Sequence, residues 1–527
     1  YSSAASDVYK RQGIDPTGVI ILRPFYAEGW GFGPAPSPSS SALVASKISP
    51  ARARWRVASS AALADDLLLQ SPLVAPPLDP GFRPMYLGMR AHAQAASEEG
   101  SLLRFALERA PDRISTFSLP VLPESHPSFA ASQRLAERVL KFLLWQRGAY
   151  RVWVSGPAAI AQEIQAQYLT LGSRAFDAEF FAKIYEQRSF VIEQVEPSDL
   201  PEESEHAKAV GGHLDGCRIG FDAGGSDRKV AAVIDGKQVF SVETVWQPKL
   251  ESDPEYHFAG IDDSIRRAAE HLPRIDAIGV SSAGIYVNNR TMVASIFRKV
   301  PEAAFDARIK SIYLDIAKKW GDVPLEVSND GDVTALAGAL ELKDHPVLGI
   351  AMGTSLAVGY VNPQGLITGW VNELAFAPID LAHSAPVDRE WSGDRGTGVN
   401  YFSQDAVIRL ASAAGIELPH GASPGEKLKV VQRLMDEGDA RALSIFETIG
   451  VYLGYGLLLS AEFYTLKHVL LLGRVTSGDG GAVLLEKARE VLRAEAPAVA
   501  ARLQIHLPDE ATRRVGQSIA AASLPRI

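Results

Sequence analysis

The segment Ile219-Gly220-Phe221-Asp222-Ala223-Gly224-Gly225-Ser226, followed by Lys229, sets a carboxylate, two glycines and a hydroxyl at what reads as a strand-turn-strand junction. Glycines let backbone amides approach phosphate oxygens, Ser226 adds a hydroxyl donor, and Asp222 could hold Mg²⁺ through water. A plain glycine-rich hairpin would have a similar sequence. Further on, VSNDGDVTALAGAL (Val327 to Leu340) puts Asn329 and Asp330 at a strand end, ahead of a small-residue helix. A carboxylate so placed can accept the proton of a hydroxyl that attacks a γ-phosphate, while the asparagine orients that hydroxyl. An Asn-Asp helix cap is the competing explanation. In GIAMGTSLAVGYVNPQGLITGW, Gly353, Thr354 and Ser355 could offer amides and hydroxyls to a β- or γ-phosphate. HVLLLGRVTSGDGG (His468 to Gly481) reads as a buried strand and a glycine-rich turn able to lie against adenosine.

The elements that must position these residues follow from periodicity. Strands are expected at Arg218 to Asp222, Val230 to Ile234 and Gln238 to Thr244, then a helix from Gly260 to His271 and a strand from Ala277 to Ser281. A strand at Leu325 to Val327, a helix at Val333 to Ala339, and strands at Val347 to Met352 and Leu356 to Val361 begin a second, similar series. Three antiparallel strands followed by helix and strand open each half of a ribonuclease-H-like domain, so the expected class is α/β, with two such halves and a cleft between them.

The motifs in this order resemble the ROK family of sugar kinases and sugar-sensing regulators, within the actin and sugar-kinase superfamily. IGFDAGGS is similar to the family's first phosphate motif, GVSSAGIYVNN to its sugar-side loop, SNDGDVTALAG to its catalytic Asn-Asp segment, MGTS to its second phosphate motif and LLLGRV to its adenosine motif. The resemblance runs from about residue 217 to the C-terminus. It implies Asp330 as general base, and Asn329, Glu373, Gly284 and Ser282 around a sugar. It also implies Asp222, Gly224, Gly225, Ser226, Lys229, Gly353, Thr354, Ser355, Gly473 and Arg474 around ATP and Mg²⁺. The implied function is phosphoryl transfer from ATP to a hydroxyl of a sugar or sugar derivative; the alternative is a non-catalytic sugar or nucleotide sensor. Family members carry a histidine zinc ligand where NELAF (Asn372 to Phe376) has Phe376, and a cysteine-rich loop where EWSGDRGTGVNYFSQDA (Glu390 to Ala406) has no cysteine. No zinc is therefore expected; His383 is the nearest substitute ligand. Ser355, Ala357 and Val358 replace usual glycines, Val358 being placed to crowd a phosphate, and Ala283 replaces a usual proline.

At 527 residues the chain should hold several domains. Hydrophobic residues make up 46% and charged residues 22%, which suits a globular chain. The net charge of -9 leaves no basic footprint for nucleic acid or an anionic membrane, so small molecules, a sugar and a nucleotide, are the expected partners, and a homodimer is compatible. The greasiest stretch, Val451 to Gly473, is broken by Glu462, Lys467 and His468. The single cysteine, Cys217, fits the cytoplasm or another reducing compartment. Tyr1 to Gln12 resembles translated adapter sequence, and Thr17 to Asp65, with Arg52, Arg54 and Arg56, is expected to be disordered or a targeting segment.

The expected division is a disordered end over 1–71 and an extension over 72–212 closed by the acidic linker EPSDLPEESEH. A small lobe over 213–333, joined by a C-terminal helix near 508–527, and a large lobe over 334–507 follow. Within the extension, helices are expected at Ser101 to Ala110, Phe129 to Arg147 and Pro157 to Leu169, with a strand at Tyr150 to Val154; Ala158 to Leu171 could imitate a DNA-binding helix pair, but its flanking charge is acidic and no arginine-rich recognition helix follows.

Overall fold

The computed structural model describes residues 59–205, 210–389, 391–507 and 510–527, without the side chains of 510–515. The adapter-like start and the arginines at 52, 54 and 56 lie outside the described residues. The N-terminal unit contains α1 (Ser60–Leu68), α2 (Met85–Ala95), β1 (Ser101–Ala110), β2 (Arg113–Val121), α3 (Phe129–Arg147), β3 (Arg151–Ser155), α4 (Ala158–Gln167), α5 (Ala175–Ile184), β4 (Val191–Gln194) and β5 (Ser204–Glu205). Its sheet has the order β4-β3-β1-β2-β5.

Ser101–Ala110 is a strand, against the helix its Leu, Ala, Arg and Glu content predicts. Leu103, Phe105 and Leu107 alternate along it and are fully buried, and β2 and β3 pair with its two edges. Ladder pairing and burial on one face outweigh a helix preference of a few tenths of a kcal/mol per residue. Helix α1 falls inside the stretch expected to be disordered. The acidic linker is also partly structured, since β5 pairs with β2 and Glu205 is held by Arg109 through two bonds of 2.6 and 3.2 Å.

The first C-terminal half runs through β6 (Cys217–Ala223), β7 (Asp227–Ile234), β8 (Lys237–Val245), α6 (Pro254–Ala269), β9 (Ala277–Ser282), the hairpin β10 (Ile285–Val287) and β11 (Arg290–Val293), α7 (Ile312–Lys319) and β12 (Leu325–Asn329). Strand order is β12-β9-β6-β7-β8, with β6, β7 and β8 antiparallel and β9 and β12 parallel to β6. That is the ribonuclease-H-like arrangement.

Helix α8 (Asp330–Leu342) leads into the second half: β13 (Val347–Met352), β14 (Leu356–Val361), α9 (Gln404–Ala413), α10 (Pro424–Asp436), α11 (Ala440–Phe463), β15 (His468–Leu472), α12 (Asp479–Glu495), α13 (Pro497–Arg502), β16 (Gln504–His506) and α14 (Glu510–Ala522). Its order, β14-β13-β15-β16, repeats the central pattern, with the third strand reduced to a bridge between Val361 and Ile367. The molecule is thus an α/β protein with duplicated ribonuclease-H-like halves. Helix α11 is long and apolar enough to cross a membrane, but it is a packed core helix here, with 78% of its most apolar stretch buried.

Helices α8 and α14 pack together between the halves, α14 against β6, β7 and β9, and α8 against β13 and β14. Gly220 and Gly279 permit this, because a Cβ at either would collide with the carbonyls of Ser518 or Ala521. The first half has its own core around Phe221, Ile265 and Tyr313, whereas the N-terminal unit and the second half share one apolar core. Phe142 of α3 stacks on Phe463 of α11 at 4.1 Å, and Phe82 meets Tyr452 edge-on at 4.8 Å.

Candidate functional site

Three strand ends of the first half are aligned by register: Ala223 of β6 pairs with Ser282 of β9, and Ser282 with Asn329 of β12. The Gly224–Ser226 turn, the Ala283-Gly284 turn and Asp330 therefore lie side by side at the carboxyl edge of one sheet, where open α/β sheets bind ligands. In the second half, Ala351 pairs with Leu472, so the turns at Gly353 and Gly473 are likewise neighbours. The two edges meet at α8. A Cβ on Gly331, the residue after Asp330, would contact the Val358 carbonyl of β14 at 2.8 Å.

Asn329 carries out the capping that its position allows: its Oδ1 accepts from the Gly331 amide at 2.7 Å, and its Nδ2 donates to the Gly284 carbonyl at 2.8 Å. It thereby joins the β12 end to the Gly284 turn, where φ is +141° and a Cβ would collide with the Val293 carbonyl. Asp330 accepts from the same Gly331 amide at 3.0 Å, and burial raises its carboxyl pKa. Ser282 is fully buried, and its Oγ accepts from Tyr286 at 2.7 Å, so it braces the strand end instead of facing a ligand.

Asp222 sits at the head of the first turn, 6% exposed, where it accepts from Ser281 at 2.8 Å; burial pushes its carboxyl up to about 6. The glycines after it are needed for approach, since neither has a positive φ and a Cβ on Gly224 would sit 2.5 Å from the Asp227 carbonyl. A Cβ on Gly225 would instead meet Lys249, at 2.7 Å from Cε and 2.9 Å from Nζ. Lys249 thus hangs over the turn, and its charge partly offsets the upward push on Asp330. No motif marks it, because it reaches the turn from beyond β8. Ser226 donates to Asp227 at 3.1 Å. Lys229 stands opposite Asp222 in the β6–β7 ladder and pairs with Asp227 at 3.6 Å.

In the second turn the Gly353 amide donates to the Ser355 carbonyl at 2.9 Å and is engaged within the turn; Thr354 is exposed and Ser355 buried. Val358 does not crowd this turn. It points into the shared core, 4% exposed, while its neighbours Ala357 and Gly359 lie on the other face of β14. Gly473 has φ +97° and approaches the Met352 carbonyl so closely that no Cβ would fit. The Arg474 carbonyl accepts from Gln432 of α10 at 2.7 Å.

Glu373 is tied to Asp330 and Asp332 electrostatically: burial pushes its carboxyl up to about 8, and both aspartates add to the shift. Asp332, which sequence reading passed over, accepts from the Tyr360 amide and from Asn372, each at 3.0 Å, and burial takes it to about 7. A carboxyl that keeps its proton in the fold, but releases it near pH 4.5 when unfolded, makes stability fall as pH rises between those two values. Glu373→Gln should therefore flatten the loss of stability between about pH 5 and 8, by an amount of order a few kcal/mol. Urea midpoints at pH 6 and pH 8.5 test this, and parallel curves for wild type and variant would exclude the shift.

The two positions where zinc ligands would be expected contact the N-terminal unit. Phe376 packs on Trp145 at 4.4 Å. Asp394, in the loop that replaces the cysteines, receives Arg138 at 2.8 Å, Arg174 at 3.0 Å and Lys141 at 3.4 Å. Glu137 and Asp177 complete the cluster, Glu137 with Arg138 at 2.6 Å and Asp177 with Lys141 at 2.7 Å, so three cations, of which Arg138 and Lys141 are buried, face three carboxylates. His383 pairs with Asp65 of α1 at 2.9 Å. Among the described residues no three His, Cys, Asp or Glu side chains come together as a metal site.

Strand order defines the class as a duplicated ribonuclease-H-like protein with glycine turns at the carboxyl edges of both sheets. No family model matches the chain, and no curated protein does. Among solved structures it is similar to a ROK hexokinase from Thermus thermophilus, at 20% identity and TM-score 0.46 over 58% of this chain and 97% of that one. It is also similar to a ROK family glucokinase from Streptomyces griseus in complex with glucose and AMPPNP (20% identity, TM-score 0.41, 58% and 98% covered). A third is a ROK family transcriptional regulator, a homologue of the E. coli MLC protein (16% identity, TM-score 0.45, 59% and 79% covered).

Proposed function

We propose that this chain transfers the γ-phosphoryl group of ATP to a hydroxyl of a sugar or sugar derivative. The observation that carries the reading is the register that sets Asp330 level with the Gly224–Ser226 turn across β6, β9 and β12. The turn fits a phosphate: Gly225 leaves a space that a Cβ would fill, Lys249 overhangs it, and Asp222 stands at its head. Asp222 would hold Mg²⁺ through water, and bound Mg²⁺ would neutralise charge on the phosphates. Asp330 accepts the proton of the attacking hydroxyl, Asn329 orients that hydroxyl, and the raised pKa of Asp330 brings it nearer the operating pH of a general base. Glu373, protonated at neutral pH, donates to a ligand oxygen. Lys249 supplies a cation beside the transferred group. Thr354, Gly473 and Arg474 line the nucleotide side.

The test is a thermal-shift titration with Mg²⁺-ATP, alone and with a panel of sugars, followed by measurement of ADP release. A ligand that binds only the folded chain raises its melting temperature. A shift with ATP and sugar-dependent ADP release is expected; silence toward ATP would overturn the reading. Gly225→Val should leave the fold intact, because the nearest atoms to the added Cβ belong to the flexible end of Lys249. By filling the turn and displacing that ammonium, it should weaken ATP binding by about ten-fold or more, the loss of one charge-assisted contact. Unchanged ATP affinity would remove this turn from the nucleotide site.

A further inference from the structure

A cavity of about 360 Å³ lies where the N-terminal unit meets the first half, and its size suits a small-molecule ligand. One wall is formed by Gly284, Tyr286, Asn288, Ser328 and Asn329, so the cavity reaches the β12 end that carries Asp330. The facing wall comes from the N-terminal unit through Arg109, Arg113 and Tyr185, and Thr368 to Trp370 close the space between. Arg109 is committed to Glu205. Arg113, where the β1–β2 hairpin begins its return, differs: its Nε is buried and has no hydrogen-bond partner among the described residues. The carboxylates of the cavity, Glu326 and Asp332, also line it, and Asp332 is held by Tyr360 and Asn372. Because Arg113 lines the cavity, the outer N–H groups of its guanidinium can donate to a ligand oxygen there. The guanidinium fork matches a carboxylate or a phosphate, and it does so better than a neutral hydroxyl.

Resting on the phosphoryl-transfer reading, we propose that the acceptor is an acidic sugar, whose carboxylate or phosphate is bound by Arg113 while its reactive hydroxyl reaches Asn329 and Asp330. The N-terminal unit then selects the acceptor, and the C-terminal halves supply the nucleotide.

The test uses the full chain in thermal-shift titrations with D-glucose, D-glucuronate and D-glucose 6-phosphate, which differ at one carbon, and separately with Mg²⁺-ATP. At least one of the two acids should raise the melting temperature at ten-fold lower concentration than glucose. The stronger of the two names the anion as carboxylate or phosphate. Arg113→Gln should abolish that preference and leave the ATP shift unchanged. Equal response to all three sugars, no response to either acid, or a preference that survives Arg113→Gln would overturn the proposal. Preference for an acid without any ATP shift would support the anion pocket and remove the transfer reading, whereas an ATP shift without acid preference would do the reverse.

Discussion

Replacing Asp330 with asparagine should lower sugar-dependent ADP release by about 10²–10⁴-fold, the range a positioned general base contributes. The substitution is nearly isosteric and does not unseat α8, because the Gly331 amide still donates to Asn329 Oδ1 at 2.7 Å. Ligand binding should persist, so the melting-temperature shifts with Mg²⁺-ATP and with sugar should match wild type while turnover collapses. A loss confined to turnover marks an interaction made in the transition state. Full activity in Asp330→Asn would exclude Asp330 as the proton acceptor, and Glu373, a carboxyl coupled to it, holds its own proton at neutral pH.

The second large effect concerns stability. Lys141 is fully buried among Asp177, Asp394 and the indole of Trp145, and its ammonium donates to both oxygens of Asp177, at 2.9 and 2.7 Å. Lys141→Met keeps the stem but leaves Asp177 with the Trp145 indole N–H, at 2.8 Å, as its one side-chain donor among the described residues. Removing one partner of a buried ion pair costs about 3–5 kcal/mol, since the surviving charge stays desolvated. Urea unfolding should show that loss, and Asp177→Asn added to Lys141→Met should recover part of it by removing the stranded charge. If the single and double variants unfold at the same midpoint as wild type, the cluster carries no net stability.

Much of the C-terminal architecture was legible because its signals are local. Alternating apolar residues and glycine turns locate β6, β9 and β13 within one residue and β7 within three, and short motifs mark the loops at their ends. What escaped is non-local. Ser101–Ala110 has helix-forming residues, and only its pairing with β2 and β3 makes it a strand. Lys249 and Arg113 reach their places from distant segments, and nothing in the spacing of WQPKLES or PDRIST announces this. Asp332 was within the recognised Asn-Asp segment, yet its burial depends on Asn372 and the β14 backbone. The side to which Val358 points follows from strand parity: Leu356, Val358 and Tyr360 share one face.

The continuous core between the N-terminal unit and the second half moves the mechanical boundary of the molecule. The acidic stretch around 200 reads as the joint between domains, but Phe142 on Phe463 and the charges around Asp394 weld the flanking bodies together. Contacts between the N-terminal unit and the first half are slighter, made by the β10–β11 hairpin and by exposed ion pairs such as Arg290 with Glu186 at 2.7 Å. Relative motion would then divide the chain near Asn329 and Asp330, at the passage from β12 into α8. A fragment cut to begin near residue 210 would expose the welded face to water, so shortening the chain to its repeated halves would remove a wall of the second half along with the extension.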